Sequence, residues 1–358
     1  MMRQSQVEEL LKNKVSYLSD SAPEDDIAIS TRIRLARNLA NVPFPTAAAQ
    51  EQFRTVADEV ARVIESKKIL GDDALHFAIE PMSPLDREVL FERRLASREL
   101  LCRPIGGALH VIADESQAVM VNEEDHLRIQ ALKPGFQLDA AWQAIDRLDN
   151  LLSSELDFAY DETLGYLTAC PTNVGTGMRV SVMLHLPGLV LAGQLGQVVQ
   201  GIAKLGLAVR GIFGEGTDNR GNLFQISNQS TLGESEADII ARLKRVIEQV
   251  IAHEKNARKN LLEHDHYRLL DLVGRSYGIL RHSYILSSEE ALNSLSGARF
   301  GVDMGMFSAL DIHTVNELFV TINPAHLQKL SHRELDGRER DIFRAQIVRE
   351  QLRKTGVN

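Results

Sequence analysis

The most distinctive reactive motif of this 358-residue chain is a turn rich in Gly and Thr that ends in an arginine. It reads Cys170-Pro-Thr-Asn-Val-Gly-Thr-Gly-Met-Arg179 and lies between two strand-like segments, residues 166–169 and 179–186. The small residues let backbone N–H groups approach a ligand closely, and Arg179 adds a permanent positive charge. These features predict an anion-binding turn, although a Gly-rich hairpin with one Arg is more often an ordinary turn.

Two more arginines lie on a predicted strand, residues 27–33 and just beyond. Alternation places Arg32 and Arg34 on one face of this strand, while Ile33 and Leu35 point the other way. A solvated strand face is the simpler interpretation. The alternative is a phosphate site, because two guanidinium groups at this spacing can contact oxygens of successive phosphates.

Acidic residues are concentrated in Glu123-Glu124-Asp125, after a predicted hairpin of residues 108–113 and 117–122. Three adjacent acids are typical of a solvated loop or of a site for a metal ion that prefers oxygen ligands. A predicted buried strand, residues 206–213, ends in the segment Gly214-Glu215-Gly216-Thr217-Asp218. Near the C-terminus, Arg340 and Arg344 fall on one helix face at i, i+4.

Together these segments resemble the phosphagen (ATP:guanido) kinases. The turn matches that family's CPTN-x-GT signature, and three other motifs agree in order: Ser30-Thr-Arg-Ile-Arg34, Val121-Asn-Glu-Glu-Asp-His-Leu-Arg128 and Arg210-Gly-Ile-Phe-Gly-Glu-Gly-Thr217. Within the family, the chain is most similar to the bacterial protein arginine kinases of the McsB type. These share VSVMLHLP, FGEG, FQISNQ and Arg340-Asp-Ile-Phe-Arg-Ala345. The resemblance spans nearly the whole chain.

The resemblance implies an enzyme that transfers the γ-phosphoryl group of ATP, with Mg²⁺, to arginine side chains of proteins. In this interpretation the phosphates are bound by Arg32, Arg34, Arg128, Arg179 and Arg210. The implied nucleotide contacts extend to Ser30, Thr31, Ile33, Arg94, Val180, Ser181, Val182, Met183, Gly211, Ile212, Phe213, Gly214 and Glu215. Relatives tend to have a His in place of Arg94, and an exposed helical Arg is the alternative there. No metal site made of protein ligands is predicted.

A guanidinium is a poor nucleophile because its pKa lies above about 12, so it must lose a proton as it attacks. The resemblance gives the role of base to Glu124. It assigns Glu215 to hold the substrate guanidinium, with Asp218 as the alternative. Cys170 matches the family's reactive cysteine, although a lone Cys at a strand end is commonly structural.

The C-terminal motif has its own implied role. In the family, a receptor for phosphoarginine that regulates the enzyme is formed by the residues corresponding to Arg340, Asp341, Arg344 and Ala345. An ordinary charged helix face is the alternative.

The expected fold class is α+β: a mostly antiparallel sheet flanked by helices in a catalytic domain of residues 1–256, then an all-helical domain of residues 257–358. Ser83, followed by Pro84, predicts the start of a helix that extends to about residue 100, and Ser235 predicts the start of a long helix. The resemblance also implies a homodimer formed through the C-terminal domain.

The net charge of −9 argues against nucleic acid as a partner but leaves room for local anion sites. Two cysteines, Cys102 and Cys170, cannot form a disulfide framework and fit a reducing compartment. No apolar run of about 18 residues and no signal-peptide pattern is present, so we expect no membrane association and a cytoplasmic protein.

Two other functions compete with the protein kinase. One is a catalytically silent adaptor that only binds phosphoarginine, which the intact acids and arginines disfavour. The other is a free-arginine kinase. Metabolite kinases of the family have an additional N-terminal helical domain, whereas here the first arginine motif begins at Ser30. Met183 and Phe213 replace polar or basic residues of those enzymes, and both differences favour a site open to a polypeptide.

The partners that the resemblance implies belong to a stress response. They are unfolded proteins and a CtsR-type repressor as substrates, an McsA-type activator, and a ClpC-type unfoldase.

Overall fold

The computed structural model describes residues 2–19, 21–103, 105–211, 220–307 and 310–354. The strands in these ranges are β1 (Ala28–Arg37), β2 (Leu75–Ala78), β3 (Ala108–Val111), β4 (Gln117–Val121), β5 (Leu127–Pro134), β6 (Tyr160–Asp161), β7 (Gly165–Tyr166), β8 (Met178–His185), β9 (Leu207–Gly211) and β10 (Leu223–Asn228). All except β6 and β7, which pair with each other, form one sheet in the order β2-β3-β4-β5-β1-β8-β10-β9.

The sheet is antiparallel, as expected for the α+β class. Strand β1 pairs with β5 so that Arg34 lies opposite Gln130, and the hairpin of β3 and β4 pairs Ala108 with Val121. The period-2 pattern of β1 is confirmed, because Ile33 and Leu35 are fully buried while Arg32 and Arg34 remain partly exposed.

The helices in the described ranges are α1 (Met2–Lys12), α2 (Ser16–Ser19), α3 (Gln50–Ser66), α4 (Pro84–Glu92), α5 (Arg98–Cys102), α6 (Leu138–Ser153), α7 (Pro187–Leu191), α8 (Leu195–Lys204), α9 (Glu236–His264), α10 (His266–His282), α11 (Ser288–Asp303), α12 (Ile312–Thr321), α13 (Pro324–Ser331) and α14 (Gly337–Lys354). Short 3₁₀ turns occur at Pro171–Asn173 and Arg220–Asn222. Beyond β10, the described residues contain helices and loops but no strand, which agrees with the predicted helical C-terminal region.

Three predicted elements differ from the structure. The helix that Ser83 caps ends at Glu92 instead of residue 100, because Arg94 adopts a left-handed conformation (φ 63°) and Ser97 caps a second helix, α5. The strand predicted at 166–169 is limited to Gly165–Tyr166. Strand β9 was expected to be buried, but most of its residues are partly exposed because it is the last strand of the sheet.

The chain divides into two compact units that do not coincide with the predicted domains. The first unit comprises Met1–Tyr17, Ser30–Val182 and Ser227–Arg245, and the second comprises Leu18–Ile29, Met183–Ile226 and Val246–Asn358. The domain boundary near residue 257 stays a prediction. Among the described helices, none is both long and apolar enough to cross a membrane.

A buried carboxylate organises part of the second unit. Glu254 on α9 is inaccessible to solvent and accepts hydrogen bonds of 2.8 Å from the backbone N–H groups of Gly188 and Leu189 at the start of α7. It also accepts one of 2.8 Å from Nε of Arg258, one turn further along α9. The negative charge therefore satisfies a helix N-terminus and a buried guanidinium together.

Replacing Glu254 with Gln is expected to lower the free energy of unfolding by about 3–5 kcal/mol, because the buried Arg258 loses its charged partner and an N–H donor replaces one acceptor. Chemical denaturation of the full chain measures this change. The matched control is Glu248→Gln at an exposed position of α9, which should change the value by less than about 0.5 kcal/mol. Equal effects of the two substitutions would contradict the assigned role.

Candidate active site

Four arginines singled out by the sequence lie close together in the first unit. Arg32 and Arg34 are on β1. Arg128 on β5 lies opposite Ala36 of β1, a position in phase with the two arginines, so its side chain is on the same face of the sheet. Arg179 is on β8, the other neighbour of β1. The strand order thus brings three separate sequence motifs to one place.

Arg94 joins this arginine cluster from the loop after α4. Its carbonyl oxygen accepts a hydrogen bond of 3.1 Å from Nε2 of Gln130, and its guanidinium carbon lies 5.8 Å from the ring centre of the buried Tyr17. Among the neighbouring charges, that of Arg94 lowers the pKa of Arg32 the most. The position predicted as a tentative nucleotide contact is therefore beside the other arginines.

Positive charges in the cluster act on one another. Burial, and then the charges of Arg94 and Arg128, lower the pKa of Arg32 to about 9. Burial, and then Arg32, Arg128 and Arg179, hold the pKa of Arg34 well below its ordinary value. Such mutual repulsion is relieved when an anion of several charges binds among the arginines.

One arginine of the cluster has unused hydrogen-bonding capacity. The Nε of Arg34 is buried and makes no hydrogen bond within the part of the chain that the structure describes. A buried donor without an acceptor costs about 1–3 kcal/mol, and phosphate oxygens are suitable acceptors. The residues present therefore fit the triphosphate of a nucleotide.

Glu123 holds Arg128 in place. Its carboxylate forms an ion pair with Nη1 of Arg128, accepts a 2.5 Å hydrogen bond from the hydroxyl of Ser97, and accepts a 2.9 Å hydrogen bond from the N–H of Glu124. Glu123 itself is only 3% exposed. The first acid of the cluster is thus a structural partner of an arginine.

Glu124 is the acid that remains partly exposed beside the cluster. Burial raises its pKa, and the neighbouring carboxylates of Asp125 and Glu123 raise it further. A carboxylate with a raised pKa is a stronger base, which is the property that proton removal from a guanidinium requires.

A buried network ties the loop of Glu124 to two other segments. Asp125 accepts hydrogen bonds of 2.7 Å from Nδ2 of Asn38 and 2.6 Å from the N–H of Ala169. Nδ1 of His126 accepts a hydrogen bond of 3.1 Å from the N–H of Leu39. Its Nε2 therefore carries the proton and donates a hydrogen bond of 3.1 Å to the carbonyl of Pro43. The loop is therefore joined to the end of β1 and to the segment before Cys170.

The Gly-rich turn is held by its own protein contacts, which corrects the predicted anion-binding use of its backbone. The N–H of Gly175 donates to the carbonyl of Tyr166 at 3.3 Å, and the N–H of Thr176 donates to the carbonyl of Thr231 at 3.3 Å. Two of the donors expected to bind a ligand are therefore already engaged.

Close backbone approach explains the glycines of this turn. Gly175 has φ +109°, and a Cβ added there would lie 2.4 Å from the carbonyl oxygen of Thr231. Beside it, the buried Arg37 donates to the carbonyl of Thr176 at 3.0 Å and to Oδ2 of Asp149 at 2.7 Å, with its guanidinium 3.4 Å from the ring centre of Tyr166. The turn is fastened to β1 and α6 through Arg37.

Substitution of Gly175 with Ala is expected to destabilise the protein by about 3 kcal/mol, because the methyl group must displace backbone and the residue keeps a strained φ. Thermal and urea unfolding measure the loss. Gly201→Ala is the matched control: it lies within α8 with no atom within 4 Å of the added Cβ, and should stabilise by about 0.5–1 kcal/mol. Effects of the same sign would contradict this account.

Cys170 is partly exposed at the start of the 3₁₀ turn, and its Sγ lies 3.0 Å from the hydroxyl oxygen of Thr172. The thiol is accessible, as a residue in contact with substrate has to be. Its catalytic role stays a prediction.

Several residues of the predicted nucleotide site serve the fold. Thr31 is fully buried and its hydroxyl donates to the carbonyl of Gly135 at 2.8 Å. Ser181 is buried and its hydroxyl lies 3.4 Å from the carbonyl oxygen of Arg32, to which it donates. The other buried residues of these motifs are Ser30, Ile33, Val180 and Val182.

The remaining predicted residues are not among the described residues of the first unit. Met183, Arg210 and Gly211 belong to the second unit, where Arg210 is exposed on β9. Outside the described residues are Ile212, Phe213, Gly214, Glu215 and Asp218. The choice between Glu215 and Asp218 for the guanidinium stays open.

The C-terminal motif lies on α14. Arg344 is 1% exposed, pairs with Asp341, and donates to the carbonyl groups of Ile322 at 2.9 Å and Leu286 at 2.7 Å. Arg340 is nearer the surface and donates to the carbonyl of Leu335 at 3.0 Å, while Ala345 is buried. Arg344 thus connects helices of the second unit, and the phosphoarginine receptor stays a prediction.

Sequence reasoning missed the supporting roles of Glu123, Ser97 and Asn38. Ser97 gave the one available signal, since a Ser three residues before a helical leucine is a typical N-cap, and its hydroxyl does accept from the N–H of Leu100 at 3.2 Å. The contacts of Glu123 and Asn38 join residues far apart in the chain and leave no local pattern.

An antiparallel sheet that presents a surplus of arginines beside a carboxylate of raised pKa defines a phosphotransferase of the phosphagen-kinase class. Family models agree: that of the ATP:guanido phosphotransferase C-terminal catalytic domain matches residues 55–257, and that of the protein-arginine kinase McsB C-terminal domain matches residues 266–358. The chain belongs to the protein-arginine kinases of the ATP:guanido phosphotransferase family.

Curated relatives support this assignment over nearly their whole length. The chain is 46% identical over 342 residues to a protein-arginine kinase of Halothermothrix orenii, covering 95% of this chain and 97% of the relative. It is 48% identical over 337 residues to that of Syntrophomonas wolfei, covering 93% of each.

Solved structures share the fold. Lombricine kinase matches with a TM-score of 0.56 at 22% identity, over 71% of this chain and 70% of that one. The duplicated taurocyamine kinase of Schistosoma mansoni, with bound transition-state analogue components, matches with a TM-score of 0.58 at 25% identity over 69% of this chain. This chain spans 35% of the duplicated enzyme.

Proposed function

We propose that this protein-arginine kinase uses ATP to phosphorylate exposed arginine side chains, with Glu124 as the base and the arginine cluster as the phosphate site. The observation that carries the proposal is the cluster itself: the charges of Arg94, Arg128 and Arg179 help to lower the pKa of Arg32 or Arg34. The buried Nε of Arg34 also makes no hydrogen bond to a described residue. A polyphosphate places negative charge among these arginines.

The chemistry follows from these positions. Glu124 takes a proton from the substrate guanidinium. At the same time a nitrogen of that guanidinium forms a bond to the γ-phosphorus, and the bond between this phosphorus and the leaving oxygen of ADP breaks. The arginines stabilise the charge that spreads over the phosphoryl oxygens. The protein's own contribution is positioning, and Glu123 supports it by fixing Arg128.

Magnesium fits this scheme as an ion carried by the nucleotide. Glu123 and Asp125 are already occupied by protein donors, and within the described ranges no group of three His, Cys, Asp or Glu side chains is arranged for a metal. When bound, Mg²⁺ neutralises phosphate charge.

Activity should depend on pH through Glu124. The pKa of Glu124 is raised above the ordinary Glu pKa of 4.5. Its carboxylate therefore becomes protonated, and inactive as a base, at a higher pH than an ordinary Glu side chain. Below its pKa, kcat should fall about tenfold per pH unit. ADP release measured from pH 8 downward tests this, and full activity persisting to pH 4.5 would contradict it.

The direct test incubates the purified full chain with Mg²⁺-ATP and either free arginine or an unfolded protein that contains arginine. Phosphate should appear on protein arginines, detected by mass spectrometry under non-acidic conditions. Label on free arginine alone would overturn the assignment of a protein substrate.

The cellular role is also part of the proposal. Family resemblance supports phosphoarginine as a mark for degradation through a ClpC-type unfoldase, relief of repression by a CtsR-type repressor, an McsA-type activator, product binding at Arg340 on α14, and a homodimer. Co-purification of the full chain with each candidate protein, before and after ATP is added, tests these partners one at a time.

A further inference from the structure

A pair of histidines faces across the first two strands of the sheet. His76 on β2 and His110 on β3 are directly opposite in the antiparallel register, and β2 is the outermost strand at that side. Their Nδ1 atoms are 2.7 Å apart and the ring centres 5.0 Å apart. This distance allows one N–H···N hydrogen bond, in which one Nδ1 carries the proton and the other supplies the lone pair; the first Nδ1 gains an available lone pair when its ring changes tautomer.

Both rings are in the form that binds metals. Burial lowers the pKa of His110 to about 3, with the charge of His76 a smaller cause, and burial also lowers the pKa of His76. Both imidazoles are therefore neutral at pH 7, and neutral imidazole is the ligand form of histidine.

Packing alone does not account for the pair. His110 is 3% exposed, and its Nε2 is buried without a hydrogen bond to any described residue. Its neighbour on β4, Val119, is fully buried. Aliphatic side chains would fill this position without a buried polar atom, so the imidazole of His110 is not there for packing.

The geometry is close to that of a metal site. Imidazole nitrogens bound to one ion at about 2.0–2.1 Å are roughly 2.9–3.4 Å apart when they are adjacent ligands, so the rings must separate by only a few tenths of an ångström. His76 is partly exposed on the edge strand, which gives the ion a path from solvent and leaves positions for water ligands. Glu65, exposed on α3, acts on His76 with a favourable negative charge.

We propose that His76 and His110 form a two-histidine site for a divalent transition metal that prefers imidazole, such as Zn²⁺ or Ni²⁺. The ion takes the lone pairs of both Nδ1 atoms. The proton that lies between them moves from Nδ1 to Nε2 of the ring that carried it, while the other ring already has its proton on Nε2. Each ring stays neutral, and no net proton is released. This site is separate from the phosphate chemistry and does not depend on it.

The test uses the full chain, stripped with a chelator and then titrated with Zn²⁺ by calorimetry and thermal unfolding. One ion should bind per chain and raise the melting temperature by about 3 °C or more, because the folded state alone presents both rings together. X-ray absorption should show two imidazole nitrogens at zinc. Mg²⁺, which prefers oxygen ligands, should produce no shift at the same concentration.

Variants separate this site from other histidines. His76→Gln, at the partly exposed position, should abolish both the binding and the thermal shift while leaving the protein folded. His264→Gln is the matched control, because His264 is 77% exposed at the end of α9. Absence of stoichiometric Zn²⁺ binding to the wild-type chain, or binding that persists in His76→Gln, would overturn the proposal.

Discussion

Replacing Glu124 with Gln should reduce phosphoryl transfer by about 10²–10⁴-fold, because the amide cannot accept the proton that the guanidinium must lose. The substitution keeps the size of the side chain, and Glu124 supports the pair of Glu123 and Arg128 through its backbone N–H, which Gln retains. Nucleotide affinity should therefore stay within about threefold of wild type, less than 1 kcal/mol. Single-turnover ADP formation and equilibrium nucleotide binding measure the two quantities separately.

The matched control is Glu99→Gln, an exposed acid on α5 whose charge has a small influence on Glu124. It should retain nearly full activity, and its acid limb should move slightly to lower pH because one negative neighbour is removed. An active Glu124→Gln enzyme would remove Glu124 from the role of base. Loss of nucleotide binding in the same variant would show that the residue belongs to the phosphate site instead.

Replacing Arg34 with Met is expected to have the second large effect. It should weaken ATP binding by about 100-fold or more, because a charge-assisted contact with phosphate is lost. The same substitution should stabilise the nucleotide-free protein by about 1 kcal/mol, since it removes a partly buried charge that Arg32, Arg128 and Arg179 repel. Opposite signs in affinity and stability are the distinctive expectation.

Calorimetric ATP titration and thermal unfolding without nucleotide provide the two readouts. Arg62→Met, at an exposed position of α3, is the control and should alter neither by more than about 0.5 kcal/mol. An Arg34→Met protein that binds ATP normally would exclude Arg34 from the phosphate site. One that loses binding and also loses stability would show that Arg34 supports the fold.

The local parts of this structure follow from the sequence. Alternating Arg and apolar residues on β1 are enough to predict which side chains share a face, and Ser83 before Pro84 is enough to predict where α4 begins. Both depend on residues within one element, so the periodicity of that element determines them.

Contacts between distant residues did not follow from the sequence. The glycines of the turn suggest an anion nest, yet Gly175 is required because the Thr231 backbone passes close by, 56 positions later in the sequence. Arg344 is similar, since its guanidinium donates to the carbonyl groups of Ile322 and Leu286, which lie 22 and 58 positions away in the sequence. Sequence patterns identify residue types, whereas the tertiary fold decides which atoms they meet.

The network of Asn38, Asp125 and His126 has a consequence for motion. It joins the loop of Glu124 to the end of the strand that carries Arg32 and Arg34, and Asp125 extends it to Ala169 beside Cys170. If one of these segments moved away from the others, a buried carboxylate or N–H group would lose its hydrogen-bond partner, so the segments do not open one at a time. We therefore expect these segments to fluctuate as one rigid body, with amide hydrogen exchange equally slow in all three and millisecond relaxation confined to other parts of the chain.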